Sequence, residues 1–154
     1  MGKDEKKESL IQTLEQKRAS KAWDFVNNLN KEIEEKLLSE KDKQDQDKKK
    51  RKIEEARKKY RSLALKTPVL VLINGLGQTL AFFKSKGGEH ELLYEHLSNW
   101  LISESKIYEQ GELVQKVISG DSAKYRQATT ETLAFLNWLK RFAEAVLPPE
   151  ESGQ

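Results

Sequence analysis

Cysteine is absent from the 154 residues, and only two histidines and three prolines are present. The missing thiols exclude a disulfide scaffold, a thiolate metal site and a cysteine nucleophile. Two imidazoles leave little for a histidine metal cluster. No apolar stretch follows Met1, so a secretory signal is not expected and the chain is read as cytoplasmic. Long hydrophobic runs are also lacking. The least polar stretch, Thr67 to Phe83, carries no charge but is interrupted by Asn74, Gly75, Gly77 and Gln78, too short and broken for a membrane span. Charge of one sign is scarce as well. Lys plus Arg is 28 and Asp plus Glu is 25, for a net of +3. That permits nucleic-acid binding without implying it.

The charges that are present are unevenly placed. Residues 1–60 hold 18 basic and 14 acidic side chains, and residues 61–154 hold 10 and 11. Length fits a single domain. Apolar positions recur at steps of three and four from Ala22 through Trp23, Val26, Leu29 and Ile33 to Leu37, one face of a helix starting near Ser9. Ser39 to Lys52 (SEKDKQDQDKKKRK) has no apolar residue and is expected to be a flexible connector between two antiparallel helices. Its basic run, residues 48–52, resembles a nucleic-acid arm but reads more simply as a solvated helix end.

A second helix carries Ile53, Ala56, Tyr60, Leu63 and Ala64, and Pro68 is expected to break or restart it. The uncharged stretch that follows reads as a buried central helix whose glycines allow close approach, ended by Gly87-Gly88. Further helices are expected over 89–103, 112–119 and from Asp121-Ser122 to Val146, where Pro148-Pro149 stops the last. The fold class is therefore all-α. The expectation is a compact bundle of five to six helices with a long N-terminal hairpin and a buried central helix. Residues 1–8 and 148–154 are expected to be disordered ends of one helical domain, 9–147.

No constellation for catalysis, metal or cofactor binding emerges. Val69 to Phe82 imitates the strand and glycine turn of a dinucleotide fold, but Leu80 stands where the third glycine belongs, and no second strand is convincing. His90-Glu91-Leu92-Leu93-Tyr94 starts like a zinc-protease helix but has tyrosine where the second histidine is needed. Glu91, Glu95 and Asp121 form no evident acid–base pair, and no nucleophile elbow occurs. Trp23, Trp100 and Trp138 sit at packing positions, so any nucleic-acid contact would run through phosphates rather than a stacking platform. Candidate phosphate contacts are Lys17, Arg18 and Lys21, then Lys66, Lys84 and Lys86, then Arg126, Lys140 and Arg141. Arg18, Lys21, Lys84, Lys86, Lys140 and Arg141 rank first. Asn74 and Gln78, four apart, form one polar step that either bonds across the core or meets another subunit.

Four segments, in order, resemble the small all-helical subunit of type III-B (Cmr, RAMP-module) CRISPR effector complexes. They are Leu14 to Ala19, Lys59 to Gly87 with its Asn-Gly-Leu-Gly-Gln centre, Leu92 to Leu101, and Asp121 to Ala145. The second and fourth are the specific ones. The resemblance implies a helical bundle without catalytic activity, cofactor or small-molecule substrate. It would stack with copies of itself, contact other subunits of the complex, and line the path of guide RNA and target RNA through backbone contacts. The alternative is a helical adaptor that touches only protein.

Overall fold

The computed structural model describes residues 12–151. Thr13 opens the first helix, α1 (Leu14–Asn27), with a capping box. Its hydroxyl accepts from Gln16 N at 3.1 Å, and the Gln16 side chain accepts from Thr13 N at 2.8 Å. The cap lies four residues beyond the expected start at Ser9, which is outside the described residues, as is the expected disordered segment 1–8. The stripe from Ala22 to Ile33 is real, but it is shared by two helices. Asn28 divides α1 from α2 (Leu29–Lys36). Its side-chain amide donates to the Asp24 carbonyl at 2.9 Å, alongside its own backbone N–H, which donates to the same oxygen at 2.9 Å.

The connector 39–52, expected to lack structure, is largely helical. It holds α3 (Glu40–Gln44) and the first turns of α4 (Gln46–Asn74). Ser39 caps α3 and Asp45 caps α4. In place of apolar packing, charge is packed on charge. Buried Asp42 is gripped by Lys52 at 3.1 Å and Lys48 at 3.4 Å, while Lys49 reaches Glu34 at 2.7 Å. The hydrogen bond from Lys52, with those from Ser39 and Lys48, holds the Asp42 carboxyl well below its ordinary range.

Pro68 does not break α4. It lies inside the helix, and the hydroxyl of Thr67 bonds back to the Leu63 carbonyl at 2.6 Å. The break comes at Gly75, whose φ of +85° with ψ of 158° is open almost only to glycine. The hydroxyl of Tyr125 seats against this corner and accepts from Gly77 N at 3.0 Å. A Cβ on Gly75 would stand 3.2 Å from that oxygen. The close approach expected at the glycines is therefore made by a side chain.

After the corner come α5 (Leu76–Lys86), α6 (Glu89–Ser98), a wider π-type turn (Asn99–Glu104), α7 (Leu113–Ser119) and α8 (Ser122–Val146). Asp121 caps α8 by accepting from Lys124 N at 2.8 Å, as its position suggests. Residues 148–151 have no regular structure, and 152–154 lie outside the described residues. The described residues form eight α-helices and no strand, more than the five to six expected because Asn28, Asp45 and Gly75 divide longer runs.

α8 is the spine, with α1 and α4 packed along it. Its Phe135 stacks on Trp100 at 5.0 Å and meets Phe25 edge-on. The expected buried central helix is buried on one side only. Tyr60, Leu63, Ala64, Thr67, Val71, Leu76, Leu80 and Phe83 face the core, but Leu72 is 70% exposed and Ile73 76%. No helix of the described residues is long and apolar enough to cross a membrane.

Candidate nucleic-acid interface

A lysine or arginine that no carboxylate holds is the readier phosphate contact, and one in a buried pair is the least available, whereas an exposed pair costs little to exchange. Sorting the six leading candidates by that criterion divides them. Arg18 is held. Its guanidinium grips Glu131 bidentately, Nε at 2.6 Å and Nη2 at 2.8 Å, and Trp100 Nε1 donates to the same carboxylate at 3.1 Å. The hydrogen bond to Glu131 raises the Arg18 pKa. Arg18 is therefore a packing residue joining α1, α8 and the π-type turn, not an open phosphate contact. Lys21 is 3.4 Å from Glu104 and lies over the Phe25 ring. Lys84 meets Glu112 at 2.7 Å and covers Tyr94, whose hydroxyl also donates to Glu112. Burial and that bond push the Tyr94 pKa up to about 12.

Lys86, Lys140 and Arg141 differ. Among the described residues none has an acidic partner. Lys140 and Arg141 share α8 with Trp138 and Phe142, and Trp23 packs edge-on against Phe142 at 5.2 Å. Trp23 is thus a packing residue as expected, although it stays 46% exposed.

The corner at Gly75 assembles a different group. On α4, Lys66, Leu70 and Asn74 follow one another at steps of four. On α5, Gln78, Phe82 and Lys86 do the same, and the two helices pack together. Leu70, Asn74, Gln78, Thr79 and Phe82 line an open cleft of about 340 Å³. Asn74 and Gln78 are exposed, and neither carboxamide has a hydrogen-bond partner among the described residues, so they do not bond across the core. Lys66 has no acidic partner either, and Lys86 lies over the Phe82 ring at 5.4 Å. His90 meets Phe82 edge-on at 5.4 Å, with Glu89 3.4 Å from its ring. Burial lowers the His90 pKa. Lys86 and Lys66 lower it further, against the opposing pull of Glu89, so both lysines act on this ring.

From the sequence, His96 is notable only as the second histidine, six residues after His90 and off its helical face, so not a metal pair with it. It is buried, stacked on Phe25 at 4.1 Å, with Tyr60 Oη 2.6 Å from Nδ1 and Glu32 2.8 Å from Nε2. The set is complete if the tyrosine donates to Nδ1 and Nε2–H donates to the carboxylate. It ties α1, α2, α4 and α6 together. Burial acts to raise the Glu32 pKa. The hydrogen bond from His96 and the nearby Lys36 ammonium outweigh burial and bring the carboxyl below its ordinary value. Burial drives the Tyr60 pKa well above 10.0. No periodicity signals such a set, because Tyr60 and His96 are 36 residues apart and Glu32 and His96 are 64 apart, and only the fold brings them together. Among the described residues, no group of three or more His, Asp or Glu is placed to hold a metal ion.

Comparison with known proteins gives consistent results. A family model described as CRISPR-associated protein (Cas_Cmr5) matches residues 14–146. The CRISPR system Cmr subunit Cmr5 of Thermus thermophilus is 39% identical over 93 residues, covering 60% of this chain and 79% of that protein. The crystal structure of a CRISPR-associated Cmr5 family protein, also from Thermus thermophilus, superposes with a TM-score of 0.65 at 31% identity. That match covers 89% of this chain and 100% of the other. The chain belongs to the Cmr5 family of CRISPR-associated proteins, the helical subunit that its four segments resemble.

Proposed function

We propose that this chain is a non-catalytic structural subunit of a type III-B CRISPR ribonucleoprotein, acting in antiviral defence in the cytoplasm. It stacks with copies of itself and with other subunits of the Cmr complex. It helps hold the guide RNA–target RNA path by contacts that do not depend on sequence. Base pairing selects the target, and the protein reads the backbone.

One observation carries this reading. Lysines free of acidic partners, Lys66 and Lys86, lie beside a helix face whose large apolar side chains are exposed: Val69, Leu72 and Ile73. Ile118 is a further exposed side chain close to Gly77. Exposed apolar surface of this kind fits a protein contact. Free cations fit phosphates. The two roles are adjacent on one corner of the molecule, as a subunit between RNA and its neighbours requires. Lys140 and Arg141 offer a second basic site. The absence of a recognisable catalytic constellation in the sequence is consistent with a scaffold.

Filter binding to single-stranded RNA at rising salt tests the reading. The expected result is weak binding at low salt with a steep salt dependence. Lys86→Glu, or Lys140→Glu with Arg141→Glu, should shallow that slope by about 1 for each phosphate no longer neutralised. No binding at low salt, by the isolated chain or the assembled complex, would leave the protein-only adaptor as the function.

A further inference from the structure

The corner at Gly75 has a mirrored order. Read outward from the glycine, α4 presents Asn74, Leu70 and Lys66, and α5 presents Gln78, Phe82 and Lys86. Each step is one helical turn, about 6 Å. Two carboxamides therefore stand at the vertex, an aliphatic and an aromatic side chain in the middle, and two cations at the mouth. The cleft between them is open, and Phe82 is 43% exposed. Among the described residues, both carboxamides lack a hydrogen-bond partner and both lysines an acidic one. Glu89 lies 3.4 Å from the His90 ring, which meets Phe82 edge-on.

We propose that this cleft holds one unpaired nucleotide of an RNA strand. The base enters between Leu70 and Phe82 and stacks on the phenyl ring. Its polar edge meets the Asn74 and Gln78 carboxamides, and its phosphate lies between Lys66 and Lys86. The proposal deepens the RNA-path reading and rests on it.

Three arguments favour a nucleotide over a peptide. A cleft of about 340 Å³ is at the small end of ligand pockets. It has room for one base and its sugar rather than a helix or a base pair. Carboxamides present a donor and an acceptor side by side, which suits the edge of a base. The three tiers also follow the order of a nucleotide itself: hydrogen-bonding edge, π-face, anion. Aromatic stacking combined with cations along the backbone is the general way proteins hold single strands. Asn74 and Gln78 then act on RNA, and the subunit contact falls to the apolar face at Val69, Leu72 and Ile73.

The test uses the full-length protein and a short single-stranded RNA carrying one 2-aminopurine, with a duplex of the same length alongside. Stacking on Phe82 should quench the probe. Phe82→Leu should relieve the quenching and weaken single-strand binding about 10-fold. It should leave duplex binding unchanged. Phe82→Trp should retain both quenching and affinity. Paired Asn74→Ala and Gln78→Ala should flatten any preference among homopolymers, again without affecting the duplex. If Phe82→Leu weakens single strand and duplex alike, or neither, the pocket is refuted while the RNA-path reading stands. If the unaltered protein binds no RNA, either alone or in the assembled complex, both fall. If Phe82→Leu spares RNA binding but releases the chain from other Cmr subunits, the cleft is a protein contact and the proposal is overturned.

Discussion

Two stretches of this chain invite the same reading and behave in opposite ways. Residues 39–52 are almost all charged, with a run of five basic residues that resembles a nucleic-acid arm. Residues 66–86 carry three lysines and no acid. In the first stretch four of the seven cations face acids. Lys48 and Lys52 hold Asp42, Lys49 holds Glu34, and Lys43 is 3.5 Å from Glu40, while Lys41, Lys50 and Arg51 have no acidic partner among the described residues. In the second, only Lys84 of the three lysines has an acidic partner among the described residues. Charge density and charge availability are different quantities. A cation buried against a carboxylate, as Arg18 is against Glu131, loses most by turning to a phosphate, whereas one in an exposed pair loses little.

The Arg18–Glu131 pair is the limit of a cation made unavailable, and breaking it is the largest effect expected. Glu131→Ala would leave a partly buried guanidinium and the Trp100 indole without their acceptor. The expected loss is about 3 kcal/mol, read as a lower urea midpoint at unchanged slope. Arg18→Met, which keeps the bulk, should leave RNA binding unchanged once the protein is folded. A selective loss of RNA affinity would return Arg18 to the interface and blur the contrast between held and free cations.

Gly75→Ala comes next. It forces a side chain into a backbone region nearly closed to it and toward the Tyr125 hydroxyl. A loss of about 2 kcal/mol is expected in the same unfolding measurement. The substitution also moves the two arms of the corner, so RNA affinity should fall with stability. The corresponding change Gln44→Ala, at the exposed end of α3 in the charged stretch, should do neither.

Much of this contrast can be read in the sequence, and the unread part has a physical reason. Helix class, the last helix and its Asp121 cap, and the end at Gly87 follow from local rules of periodicity and capping. The connector escapes those rules because hydrophobic pattern is blind to helices held by caps and ion pairs. Pro68 misleads because local preference ignores the packing of Val71 and Thr67 into the core. The site is half legible. Lys86, Asn74 and Gln78 are where the spacing puts them, but Arg18 cannot be set aside without knowing that residue 131, far along the chain, faces it. Lys66 and Phe82 are visible as steps of four on either side of Gly75. What makes them a pair is a sharp corner, which a lone glycine only hints at.

Acid titration gives the smallest effect and the cleanest separation. Both Glu32 and Asp42 have folded pKa values below their ordinary ones, so each stabilises the fold fully above the unfolded value and loses that contribution as pH falls through the folded one. For Glu32 the unfolded value is near 4.5 and for Asp42 near 3.8. Glu32→Gln should therefore cost about 1.5 kcal/mol at neutral pH, with the gap to the unaltered protein closing below about pH 4.5. Asp42→Asn should lower the global midpoint modestly at neutral pH and speed amide exchange over residues 40–52, both effects fading at acid pH, because the carboxylate otherwise holds Lys48 and Lys52. If those two lysines then strengthen RNA binding, their earlier silence was due to pairing with Asp42. If binding does not change, their position, and not their pairing, keeps this charged stretch off the RNA.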